Sequence, residues 1–127
     1  MVSPKKILIV DDDSDVVDLI SLVLKTRGYN VYSAESGEEC LKILKKKKPD
    51  LVILDIMMET ITEGINICYE IKNNPEYQNI SVILISSIDK SMGFHIDTEF
   101  MKADKFLDKP LEPENLIKNI ENIFKSQ

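Results

Sequence analysis

Long apolar runs and paired cysteines are what this chain lacks, and of histidine it has only one. No stretch approaches the roughly 20 consecutive apolar residues that a membrane span requires, and the opening MVSPKK leads into a short β-prone segment rather than the apolar stretch of a signal peptide. The cytoplasm is therefore the expected compartment. Cys40 and Cys68 stand 28 positions apart, with no CxxC and no histidines at ligand spacing, so a disulfide scaffold or zinc ribbon is not expected and both read as ordinary buried or half-buried thiols. A single histidine, His95, leaves no partner set for serine-based acyl transfer. Sixteen basic residues against 22 acidic ones give a net charge of −6, which argues against a nucleic-acid-binding face. A length of 127 residues suits one domain, expected over residues 1–127 with its core from about 5 to 124.

What the chain does have is a repeated pattern. The stretch KILIVDDDSD joins a β-branched apolar run, Ile7 to Val10, to a cluster of carboxylates at Asp11, Asp12 and Asp13. Such a run predicts a strand buried on both faces. After it, Val16, Val17, Ile20, Val23 and Leu24 share one helical face, with Ser14 as a candidate N-cap and Gly28 as the stop. YNVYSA predicts a second strand, and Ser36 with Glu39 forms a capping box for a helix through Cys40, Leu41, Ile43 and Leu44. The lysines at 45–48 read as cations that complement that helix's C-terminal dipole rather than as a polyanion site. DLVILD repeats the first pattern, a strand that ends on a carboxylate, Asp55.

A further helix carries Ile65, Ile67, Cys68 and Ile71, and ISVILISS is a strand ending in hydroxyls. Residues 89–102 are expected to be helical despite a poor apolar face. DKFLDKP supplies a last short strand, and Leu116, Ile117, Ile120, Ile123 and Phe124 mark a closing helix with Pro113 in its first turn. Five alternations of strand and helix predict a doubly wound α/β domain, a parallel sheet with helices on both faces.

Ligands collect beyond the carboxyl ends of the strands in such sheets. There lie Asp11 and Asp12, then Asp55, Ser86 and Lys109. Two carboxylates ~4 Å apart repel by roughly 4 kcal/mol at an effective dielectric of about 20, so the cluster calls for positive charge. Hard oxygen ligands without histidine suit Mg²⁺. With that ion bound, a carboxylate can attack phosphorus, while a lysine and a serine hydroxyl hold other phosphoryl oxygens.

With these residues in order, ILIVDDD, PDLVILDIMM, VILISS and ADKFLDKP, the chain resembles the receiver domain of bacterial two-component response regulators, from about Lys5 to Phe124. The resemblance implies a five-stranded sheet of order 2-1-3-4-5 with five helices. It implies Mg²⁺ on Asp12, Asp55 and the backbone carbonyl of Met57, with Asp11 acting mainly through water. It also implies Asp55 as phosphoacceptor, Lys109 and Ser86 as phosphoryl contacts, Ser86 and Phe106 as the switch pair, and a cis bond from Lys109 to Pro110. The implied partners are a histidine kinase or phosphotransfer protein and a downstream protein on the face of the fourth helix, fifth strand and fifth helix. The implied state is a monomer, with dimerisation on activation as an option; because the closing helix runs almost to Gln127, a stand-alone receiver is expected unless the chain is an excised domain.

The chain departs from that family in ETITEG, which replaces the usual Pro-Gly and acid-Gly pairs and is one residue longer before Gly64. It also departs at Lys102, where glycine is usual. Two other readings compete: an unphosphorylated binding module of the same fold, and a small Mg²⁺-dependent phosphatase using DDDSD.

Overall fold

The computed structural model describes residues 4–56, 61–86 and 103–126. In chain order these form β1 (Lys6–Val10), α1 (Ser14–Thr26), β2 (Asn30–Ala34), α2 (Gly37–Lys47), β3 (Leu51–Asp55), α3 (Ile61–Asn73), β4 (Ser81–Ser86), β5 (Lys105–Asp108) and α4 (Pro113–Lys125). The strands make one parallel sheet in the order β2-β1-β3-β4-β5, the order expected. Four helices lie among the described residues, and the helix expected over residues 89–102 lies outside them.

Strand period decides which helix packs where, because successive side chains leave opposite faces. Leu8, Val10, Val52, Leu54, Val82 and Leu84 point to one face, where they pack with Cys40 and Leu44 of α2 and Ile67, Cys68 and Ile71 of α3. Ile7, Ile9, Leu51, Ile53, Ile83 and Ile85 point to the other, against Val17, Ile20 and Leu24 of α1 and Leu116, Ile117 and Ile120 of α4. β3 and β4 are buried at every position, which explains the apolar runs Leu51 to Leu54 and Val82 to Ile85. Burial pushes the Cys40 thiol up to about 12 and the Cys68 thiol up to about 11, so both are the inert core residues expected.

Helix ends follow local chemistry. The N-cap of α1 is Asp13, whose carboxylate accepts from the Asp15 N–H at 3.0 Å; Ser14, the expected cap, is already helical. Asp outcompetes Ser here because an anion also complements the helix dipole. At the other end Gly28, with φ of 86°, lets its own N–H reach the Lys25 carbonyl and the Tyr29 N–H reach that of Leu24. Ser36 caps α2 by accepting from the Glu39 N–H, as expected, and Glu39 in turn accepts from the Glu35 N–H. Among the described residues no helix is long and apolar enough to cross a membrane.

Candidate functional site

Backbone hydrogen bonds carry the sheet's register past the strand ends and so fix where the polar side chains begin. The Asp11 N–H donates to the Ala34 carbonyl at 3.1 Å, the Ile56 N–H to Ile85 at 3.0 Å, and the Lys109 N–H to Ser86 at 2.9 Å. Each tie extends a neighbouring pair of strands by one residue. Asp11, Asp55 and Lys109 thus leave the sheet from positions that are fixed before any side chain interacts.

The Lys109 ammonium donates to Asp55 Oδ2 at 2.9 Å and lies 3.5 Å from Asp11 Oδ2. Both carboxylates are 2% exposed, so this one cation is shared between two nearly dry acids and compensates them only in part. The other oxygen of Asp11 accepts from the Asp13 N–H at 2.9 Å, a local turn that aims its carboxylate. Desolvation raises the pKa of Asp11 above its usual carboxylate value, with the charge of Asp55 acting in the same direction; the Asp13 N–H and the Lys109 charge pull against them without cancelling them. Burial works against the Lys109 ammonium, but its hydrogen bond and charge interaction with Asp55, reinforced by Asp11, raise its pKa overall.

Asp12 is exposed, yet one carboxylate oxygen from each of Asp11, Asp12 and Asp55 fits within 4.8 Å of the others. Three hard oxygen donors at that separation, two of them buried and only partly compensated by one lysine, fit a small divalent cation such as Mg²⁺. The positive charge the sequence called for is supplied in part by Lys109 itself.

Ser86 is buried at the end of β4, one residue past the partner of Asp55, and its carbonyl is tied to Lys109. Phe106 sits on β5 opposite Leu84 and packs partly buried against the α2–α3 side of the core. The Lys109–Pro110 bond is cis. Met57 lies outside the described residues, as do His95 and residues 59–60 of the atypical ETITEG stretch.

Two contributors escaped the sequence reading. Asp13 caps α1, and its N–H also orients Asp11; the signal was the two-residue spacing of an Asx turn. Gly64 packs directly on the end of β3, which no local pattern announces.

Comparison with known proteins bears on family and fold. The sequence profile of the response regulator receiver domain matches residues 7–121. Regulatory protein VanR of Enterococcus faecium is 36% identical over 116 residues, covering 91% of this chain and 48% of VanR. The alkaline phosphatase synthesis transcriptional regulatory protein PhoP of Bacillus subtilis (strain 168) is 31% identical over 121 residues, 95% of this chain and 49% of PhoP. The chain therefore spans about half the length of these curated relatives. A solved structure from Chloroflexus aurantiacus J-10-fl, assigned as a response regulator, superposes with a TM-score of 0.83 at 34% identity, covering 94% of this chain and 97% of that one.

Proposed function

Because the chain belongs to the response regulator receiver domain family, we propose that it works as a Mg²⁺-dependent phosphoryl acceptor, with Asp55 as the acceptor residue. The observation that carries this reading is the Asp55 carboxylate: buried at a strand end, 2.9 Å from an ammonium and grouped with two further carboxylates. A lone carboxylate in water is a poor nucleophile toward an anionic phosphoryl group, and a cation held by the three acids would, together with the Lys109 ammonium, offset that repulsion.

Asp11, Asp12 and Asp55 would hold the cation, with the Met57 carbonyl as a further ligand. When bound, Mg²⁺ supplies electrostatic screening of the incoming phosphoryl oxygens. Asp55 attacks the phosphorus of a phosphohistidine on a histidine kinase or phosphotransfer protein. The new P–O bond forms as the P–N bond breaks, and the leaving imidazole takes up a proton. Lys109, already at the acceptor, moves its hydrogen bond from the carboxylate to a phosphoryl oxygen, and the Ser86 hydroxyl donates to another. Drawing Ser86 toward the phosphoryl group frees space that Phe106 fills from β5, and the surface around β5 and α4 changes for a downstream protein.

On this reading residues 1–127 are one receiver unit, core about 5–124, that acts through protein contacts in the cytoplasm and not through direct nucleic-acid binding. It assists phosphoryl gain and loss at its own Asp55 and turns over no separate substrate. It is a monomer before activation, and phosphorylation is the step at which a dimer would form.

Incubation with Mg²⁺ and acetyl phosphate should add one phosphoryl group by intact mass, and Asp55→Asn should abolish it. Labelling of that variant at the wild-type level would overturn the assignment of Asp55. An unlabelled wild type under the same conditions would leave a binding module of receiver fold, and multiple turnover on a phosphate ester would instead indicate a phosphatase.

A further inference from the structure

Gly64 lies in the first turn of α3, buried against the end of β3. A methyl group added at its Cα would meet the Ile56 Cα at 2.8 Å, the Ile56 carbonyl oxygen at 2.9 Å and the Asp55 carbonyl oxygen at 3.0 Å. Carbon atoms ordinarily meet at about 3.5 Å or more. All three obstacles are main-chain atoms, which cannot swing aside as the tip of a side chain would.

Nor can the end of β3 retreat, because Asp55 is paired with Ile85 and the Ile56 N–H donates to the Ile85 carbonyl. Left-handed backbone is not the reason for glycine here: among the described glycines only Gly28 has positive φ. What Gly64 supplies is room. Any side chain in its place must either lift α3 or turn the Asp55–Ile56 peptide, and the second motion shifts the Asp55 carboxylate relative to Lys109 and the other acids.

We propose that Gly64 is a positioning residue for Asp55: by letting α3 rest on the Asp55–Ile56 main chain it sets where the acceptor carboxylate stands for the cation and the phosphoryl group. This rests on the reading of Asp55 given above. Misplacing a reacting group by ~1 Å can cost about a hundredfold in rate, so a fraction of that displacement is enough to measure.

The test is a Mg²⁺ titration of ¹⁵N-labelled wild type, Gly64→Ala and Ile71→Ala, followed by backbone amide resonances. Ile71 is fully buried two turns further along the same helix and controls for loss of stability alone. In Gly64→Ala the Asp55 and Ile56 amides should be displaced before the ion is added, and Mg²⁺ affinity should fall about fivefold or more. In Ile71→Ala, affinity should stay at the wild-type level.

Wild-type affinity and unshifted Asp55 and Ile56 amides in Gly64→Ala would overturn the inference, as would an equal loss of affinity in Ile71→Ala. A wild type that binds no Mg²⁺ would instead overturn the reading of the site itself. Should Gly64→Ala fail to fold, the wild type decides: its Gly64 amide should shift on Mg²⁺ binding together with Asp55 and Ile56, and a stationary Gly64 would end the proposal.

Discussion

Asp11 and Asp12 are neighbours in sequence and opposites in environment. Asp11 is 2% exposed and tied by a backbone N–H, while Asp12 is exposed. Adjacent positions at a strand end face opposite ways, so one acid is pressed into the protein and the other is left to solvent. The cost falls on Asp11, whose pKa is raised by desolvation and by Asp55. An acid whose pKa is higher folded than unfolded holds its proton better in the folded state. Its destabilising effect is absent well below pH 3.8 and grows as the pH rises through the raised value. Asp11→Asn keeps an oxygen to accept the Asp13 N–H and removes the disfavoured charge. In Mg²⁺-free buffer at pH 7 this variant should be more stable than wild type by about 1 kcal/mol in urea unfolding. That advantage should vanish toward pH 3, and a less stable variant at pH 7 would mean that Lys109 compensates the carboxylates fully.

At the scale of elements, an ion pair holds together pieces that are remote in sequence. Lys72, in the last turn of α3, places its ammonium 2.8 Å from Asp104 Oδ2 and 2.8 Å from the Ile80 carbonyl, while the same Asp104 oxygen accepts from the Val82 N–H at 2.7 Å. The Asp104 N–H returns a bond to the Val82 carbonyl, so this carboxylate closes the β4–β5 ladder at the end away from the site. The Lys72 side chain is only 11% exposed. Asp104→Ala leaves that ammonium only the Ile80 carbonyl and opens the ladder; with the Asp104 side chain 38% exposed, this should cost about 1–2 kcal/mol in urea unfolding. Lys72→Met, which removes the buried cation but keeps its packing, should cost less. Equal losses in the two variants would show that the pair contributes only its packing.

The strands, helices and strand-end acids were legible in the sequence because each is announced locally: β-branched runs, i to i+4 apolar faces, Ser36 with Glu39, and Asp55 closing DLVILD. The pairings of Lys72 with Asp104, and of Gly64 with the Asp55–Ile56 main chain, were not legible. Both depend on how elements stack, and no spacing within one element reports that. Sheet order likewise came from family resemblance, since alternation alone fixes that the strands are parallel and not which are neighbours.

For the molecule as a whole, charge is distributed against stability. A net charge of −6 repels itself, and the densest buried share, Asp11 and Asp55, sits where the sheet offers one ammonium in return. Any added salt relieves the general repulsion by screening, whereas only an ion bound among Asp11, Asp12 and Asp55 relieves the local part. The two contributions separate by experiment. Specific binding to the folded state alone stabilises it by RT ln(1 + [L]/Kd), about 2.7 kcal/mol when the ion is at about 100 times its Kd. For a domain near this size that corresponds to a rise in Tm of roughly 10 °C. MgCl₂ should therefore raise Tm well beyond NaCl of equal ionic strength, with the excess growing logarithmically with concentration. Asp12→Ala, which removes the exposed carboxylate of the three and leaves the Lys109 contacts in place, should abolish that excess while keeping the response to NaCl. If Mg²⁺ and matched NaCl act alike on the wild type, the three carboxylates form no cation site, and the whole-molecule charge accounts for the entire effect.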